Sequence, residues 1–195
     1  MESMQIDQEI HWYAMRDLKR RNAVLPAYKL LEQVGFDVFT PLVSQLVTQH
    51  GRRSRREVPL MQDLLFVRGC RHALDPIVAK TPTLQYRFQR GGKSGEPMVI
   101  PNEQMNQFIA AVSASDNPRF YTAEEISSKL GGRKIRLIGG PLDGCEGVLQ
   151  SVRGSKTKRV IITLPSLLAV SIAIRDEYVE VLRAVDRAPH KTDDR

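Results

Sequence analysis

The chain has little cysteine: two in 195 residues, Cys70 and Cys145, each standing alone. Neither belongs to a Cys-x-x-Cys pair, and histidines 11, 50, 72 and 190 are scattered. A disulfide framework and a zinc site are therefore not expected, and a reducing cytosol is the expected setting. No run of about 18 apolar residues exists, which argues against a transmembrane helix and a membrane partner. The first ten residues are acidic and polar, unlike a signal peptide. Catalytic signatures are missing too. There is no Gly-x-x-x-x-Gly-Lys-[Ser/Thr] loop; Gly91-Gly92-Lys93-Ser94-Gly95 ends like one but lacks the earlier glycine. No His-Glu-x-x-His and no Gly-x-Ser-x-Gly occurs. The paired acids Glu124-Glu125 and Asp193-Asp194 lie in polar stretches and read as solvated charge. No enzyme activity, cofactor or metal is expected.

What the chain does have is positive charge: a formal +7 and a pI near 9.6. A basic balance favours polyanionic partners. It is concentrated early, since eleven lysines and arginines face five acids between His11 and Arg71. Four of them, Arg52, Arg53, Arg55 and Arg56, follow Gly51 and read as the tip of an exposed hairpin. Two readings stay open: a solvated loop, or an arm that contacts phosphates.

Residues 1–10 read as a leader. His11–Arg16 forms the first strand, in which Trp12 is a core aromatic and Tyr13 points to the opposite face. Asp17–Arg21 is a basic loop. A helix follows from Asn22 or Leu25 to Val34, with Ala27, Leu30, Leu31 and Val34 at helical spacing and Gly35 as its C′ residue; Pro26 is tolerated only in its first turn. Phe36–Thr40 alternates as a strand. Val58–Val67 is apolar and leads into a central strand at Leu64–Arg68. Pro76 restricts His72–Lys80 to a short helix. Leu84–Arg90 alternates, and Met98–Ile100 is a short strand. Pro101–Ser115 is the clearest helix, with Met105, Phe108, Ile109 and Val112 on one face. Residues 11–116 thus read as an α+β sandwich, one antiparallel sheet with flanking helices. Residues 117–130 read as a tether, with a capping box at Thr122-x-x-Glu125, and 184–195 as a disordered tail.

From Gly132 to Leu149 the pattern changes. Ile135 and Leu137 alternate with Lys134 and Arg136, Gly139-Gly140-Pro141 and Asp143-Gly144 mark a turn, and Gly147 interrupts the next strand. Apolar runs follow at Val160–Leu164, Leu167–Ile174 and Tyr178–Leu182. Several short strands with no helix between them read as a small SH3-like β-barrel over 131–183. The residues Gly132, Gly139, Pro141, Gly144 and Gly147 resemble a KOW motif, with Arg133 and Leu142 as departures.

With that motif at the C-terminus, the first domain resembles the NusG N-terminal (NGN) domain. The residues that carry the likeness are Trp12–Met15, Phe39-Thr40-Pro41 and Val58–Val67, with Gln62 and Leu64 departing from the usual pattern. The chain is similar to NusG-type elongation factors, and in look to the RfaH- and UpxY-type antiterminators, some of which serve capsular polysaccharide operons. Their His-Thr-Thr contact is not visible; Asp75-Pro76-Ile77 stands there.

The resemblance implies a cytoplasmic, monomeric bacterial transcription factor that binds RNA polymerase. Its NGN domain would dock on the β′ clamp helices, reach to the β subunit, and promote processive elongation or antitermination. Residues for that patch are Tyr13, Phe39, Leu60, Met61, Leu64 and Phe66, each of which reads equally as core. Arg16, Lys19, Arg20 and Lys29, with the arginine run, would meet non-template DNA or nascent RNA. The KOW barrel would recruit a ribosomal protein, Rho or RNA. Its apolar 167–174 run reads as a partner surface or as a packing face. The alternative is a ribosome-associated or general RNA-binding KOW protein.

Overall fold

The structure is a computed structural model, and it describes residues 9–19, 25–49, 51–61, 63–88, 95–122, 125, 132–151, 158–164, 167–174 and 178–182. The chain divides into two compact units, Met1–Asn106 and Gln107–Arg195.

The first unit is built on an antiparallel sheet. Strands β1 (His11–Asp17), β2 (Asp37–Phe39), β5 (Leu65–Gly69) and β6 (Leu84–Tyr86) take the order β2-β5-β1-β6, and β7 (Val99–Ile100) also pairs with β1. β1 and β5 are central, in the register Trp12↔Arg68 to Met15↔Leu65. Alternation sends Tyr13 and Met15 to one face, where they pack with Leu65, Val67, Leu74, Leu84 and the helix residues Ala27 and Leu31. Trp12, Ala14 and Phe66 belong to the other face and are also buried. A strand buried on both faces reads as continuously apolar, and Leu64–Val67 does so.

Helix α1 (Ala27–Val34) starts with the first residue of its apolar spacing rather than at Asn22 or Leu25, because Pro26 holds an extended ψ of 157° at its N-cap. It stops at Gly35, whose φ of 98° lets its amide reach back to the carbonyls of Glu32 and Leu31. Pro26 has no capping side chain, so the cap comes from a distance: Asp17 Oδ2 accepts the Ala27 amide at 2.7 Å. Helix α2 (Arg71–Lys80) accommodates Pro76 and runs ten residues, longer than expected. The strand at 84–90 is shorter than its alternation implies: β6 ends at Tyr86, and Phe88 makes only an isolated bridge to Pro97 and stays exposed. Helix α3 (Asn102–Ala114) buries Met105, Phe108 and Ala111, a stripe rotated slightly from the predicted one.

Strands β3 (Leu42–Gln49) and β4 (Arg52–Pro59) form a separate two-stranded sheet. The second unit contains β8 (Arg119–Thr122), β9 (Arg133–Ile138), β10 (Glu146–Ser151), β11 (Lys158–Leu164), β12 (Leu168–Ala173) and β13 (Tyr178–Val181). Their order is β13-β9-β10-β11-β12-β8. The last strand beside the first, followed by three successive neighbours, matches the antiparallel order of a small SH3-like barrel, with β8 added at the β12 edge. The Thr122–Glu125 capping box is formed: Glu125 Oε2 accepts the Thr122 amide at 2.9 Å, and Thr122 Oγ1 accepts the Glu125 amide at 3.5 Å. The predicted disordered tail and residues 1–8 of the leader lie outside the described residues.

Candidate nucleic-acid and protein interface

The most distinctive surface is the β3–β4 hairpin. Eight rungs run from Leu42↔Pro59 to Gln49↔Arg52, about 24 Å at ~3.4 Å per residue. Its turn includes Gly51 at φ +75°. The arginines therefore lie along β4 rather than at the tip. Directly opposed residues share a face, so alternation puts Arg53 and Arg55 on one face and Arg56 on the other. Ser44, Gln45, Leu46, Thr48, Arg53, Ser54, Arg55, Arg56 and Glu57 are all exposed, so solvent reaches both faces. Two arginines on one face stand about 6.8 Å apart along the strand, comparable to successive phosphates of an extended single strand.

The root of the hairpin is apolar. Leu42 opposes Pro59, and the Leu60 amide donates to the Pro41 carbonyl at 2.8 Å. This brings Phe39, Leu42, Leu60 and Met61 to one end of the arm. Phe39, Leu60 and Met61 are half-buried and Leu42 is exposed.

The other three members of the expected polymerase patch are in the core. Tyr13 is 1 %, Leu64 2 % and Phe66 0 % exposed. Tyr13 meets Tyr86 edge-on at 5.6 Å, and Phe66 lies against Phe39 at 6.4 Å. Tyr13 and Phe66 lie in the two central strands, so neither side of the alternation is left for solvent, and Leu64 is buried just before β5. Of the expected residues only Phe39, Leu60 and Met61 reach solvent, beside Leu42, which was not among them.

The basic residues near β1 do not form one cluster. Lys29 is exposed and lies 5.8 Å from the Tyr28 ring centroid. Lys19 Nζ donates to the Leu25 carbonyl at 2.8 Å, a structural tie. Arg20 lies outside the described residues, as does the Arg52 side chain. Arg16 pairs with Asp63 at 3.6 Å, and Asp63 also takes Arg87 at 2.8 Å. Arg87 is absent from the residues expected on sequence. Its signal was the polar alternation Gln85, Arg87, Gln89, which says that a face is polar but not what it meets. Burial pulls the Arg87 pKa down, and the Asp63 charge opposes that shift.

Asp75 is tied inward. It accepts from Tyr86 Oη at 2.7 Å and from Arg71 at 3.1 Å. Burial first, then the hydrogen bond to Asp75, raises the Tyr86 pKa well above its ordinary value.

In the second unit the expected glycines close the β9–β10 connection. Gly139 (φ +80°) donates to Asp143 Oδ1 at 2.6 Å, and Gly144 (φ +79°) donates to the Leu137 carbonyl at 2.8 Å. Pro141 opens a 3-10 turn, Gly140–Leu142, that buries Leu142. At Gly147 a Cβ would stand 2.6 Å from the Ile161 carbonyl oxygen. At Gly132 a Cβ would meet the Leu149 carbonyl. These two positions are glycine because neighbouring strands cross too closely for any side chain. Burial, and secondarily Asp143, pushes the Cys145 thiol pKa up, which makes it a packing residue rather than a nucleophile. Among the described residues no group of His, Cys, Asp or Glu could hold a metal ion. No described helix is long and apolar enough to cross a membrane.

An α+β unit with an arginine-bearing hairpin is followed by a second unit with the strand order of a small SH3-like barrel. Residues 10–109 match the family model NusG, "Transcription termination factor nusG". The chain belongs to the NusG family, a family of transcription elongation and antitermination factors that bind RNA polymerase. Among solved structures, "Domain interaction in Thermotoga maritima NusG" is 16 % identical over 90 % of this chain and 98 % of that one, with a TM-score of 0.43. No curated protein matches the sequence significantly.

Proposed function

We propose that this protein is a cytoplasmic elongation or antitermination regulator that binds RNA polymerase through the root of its β3–β4 hairpin. The supporting observation is that one arm combines an apolar root at Phe39, Leu42, Leu60 and Met61 with a distal half carrying four arginines. In this reading the root docks on the β′ clamp helices, and the arm reaches toward the β subunit and the single-stranded DNA of the bubble. Apolar burial supplies affinity and the arginines supply a salt-sensitive contact without base reading. Arg16 and Lys29 remain the basic contacts near β1. The KOW barrel takes a further partner, a ribosomal protein, Rho or nascent RNA, and the operons served are a specific set.

The test is binding of the full chain to purified RNA polymerase, free and in an elongation complex. Leu60→Asp with Met61→Asp is expected to lower affinity for both forms. Replacing Arg53, Arg55 and Arg56 by Gln is expected to lower it only where nucleic acid is present. If wild type binds bare RNA as tightly as it binds the elongation complex, the general RNA-binding reading replaces this one.

A further inference from the structure

The connection from β4 to β5 carries two apolar residues of the hairpin root, Leu60 and Met61, both half-buried. It lies outside the described helices and strands, so no regular ladder fixes its course. Its polar groups are held by bonds to other segments. The Leu60 amide donates to the Pro41 carbonyl at 2.8 Å, and Thr40 Oγ1 donates to the Leu64 carbonyl at 3.1 Å. Thr40 and Pro41 lie directly before β3. Both bonds therefore join one foot of the arm to the other.

Arg87 ties the same connection to the body of the sheet. Its backbone is fixed on two sides: its amide donates to the Ala14 carbonyl at 2.9 Å, and its carbonyl accepts from the Met98 amide at 2.7 Å. Ala14 belongs to β1, a central strand. From that anchor Arg87 Nη2 donates to the Asp63 carbonyl at 2.9 Å and to Asp63 Oδ2 at 2.8 Å. Main chain and side chain of Asp63 are thus held together. Arg16 reaches the same carboxylate oxygen at 3.6 Å, but both groups are nearly half-exposed, and a contact of that kind contributes little. Arg87 is a poor device for stability alone. Its side chain is 24 % exposed, and its Nε is buried without a hydrogen-bond partner. An incompletely satisfied charge drawn out of water gains little net stability from its ion pair; what the pair does provide is a defined geometry.

We propose that Arg87 is a positioning residue for polymerase docking: it fixes the connection that carries Leu60 and Met61 against the central sheet, so that both side chains are set before the partner arrives. The inference rests on the reading of the hairpin root as the docking surface. Setting the two side chains in advance removes the ordering cost that loosely held ones add to association. Without the tie, the two feet of the arm stay joined to each other while the connection loses its hold on β1.

The experiment measures the affinity of the full chain for purified RNA polymerase without nucleic acid, so that a lost charge contact with DNA or RNA does not enter. Arg87→Met is made in the wild-type chain and in a chain carrying Leu60→Ala with Met61→Ala. In the wild-type chain it is expected to weaken binding about tenfold, with faster amide hydrogen exchange at Leu60, Asp63 and Leu64 and unchanged exchange in β1. In the double-alanine chain it is expected to change affinity less than about twofold, because the side chains to be positioned are gone. Equal losses in the two backgrounds overturn the proposal, since Arg87 is then an independent contact. Undiminished binding by Arg87→Met, where Leu60→Asp with Met61→Asp loses binding, overturns it too and leaves the docking reading standing. If Leu60→Asp with Met61→Asp binds as wild type does, the docking reading fails and the proposal fails with it. Should Arg87→Met not fold, Arg87→Gln, polar and shorter than arginine, is read in the same way.

Discussion

Asp17 has the plainest single-residue role. In the sequence it sits among basic residues and counts only as one acid in a cationic third. In the fold it is 8 % exposed, and its two oxygens accept the amides of Lys19 at 2.9 Å and Ala27 at 2.7 Å. It thereby caps a helix whose own N-cap is a proline. Asp17→Ala should cost about 1–2 kcal/mol in denaturant unfolding, with the loss reporting on the first unit. Tyr86 supplies a pH test. Its folded pKa is raised above the ordinary tyrosine value of about 10, so the folded chain retains a proton that the unfolded chain releases. This contribution is fully present below about pH 10 and is lost as pH rises above it. Tyr86→Phe should cost about 1 kcal/mol at neutral pH through loss of the hydrogen bond to Asp75, and should flatten the alkaline fall in stability. Urea midpoints at neutral and alkaline pH give both numbers. An unchanged alkaline slope would mean that other tyrosines carry it.

Among elements, the β3–β4 hairpin shows how far a local pattern can be read. Four arginines in five positions announced an exposed cationic segment, and Arg53, Arg55 and Arg56 are exposed. Their placement along a strand, split between two faces, follows from the eight-rung register and from Gly51, neither of which composition expresses. Replacing Arg53, Arg55 and Arg56 by Gln should weaken single-stranded DNA binding. It should also reduce the salt slope of log K by about 2, at ~0.7 for each phosphate no longer neutralised. Fluorescence anisotropy at several salt concentrations measures this, and an unchanged slope would assign the arginines to solvation alone. The β9–β10 turn was legible for the opposite reason. Gly139 and Gly144 are required by their own positive φ, a local condition, whereas Gly147 is required by the close approach of β11.

For the whole molecule, the decisive question is which apolar residues are free to meet a partner. Phe66 and Leu60 look alike in sequence, six residues apart in one apolar segment. Phe66 lies in a central strand, and Phe66→Ala should cost about 3–5 kcal/mol of stability. Leu60 lies half-buried at the hairpin root, and Leu60→Asp should leave stability within about 1 kcal/mol of wild type while weakening polymerase binding. Thermal unfolding and a polymerase pull-down on the same two proteins separate the roles. If Leu60→Asp unfolds the domain, the root is core and the docking surface lies elsewhere.

The sequence by itself determined the α+β class of the first unit, the helix ended by Gly35, the β9–β10 turn and the cationic arm. All of these are set by neighbours within a few residues, through backbone conformation, side-chain period and charge. Tertiary structure decided that Tyr13, Leu64 and Phe66 are core, that Asp17 caps α1, that Arg87 shares Asp63 with Arg16, and that β8 belongs to the second sheet. Each of these depends on which strand lies beside which. Alternation tells a residue which neighbours share its face, but only the assembled sheet says whether that face is covered.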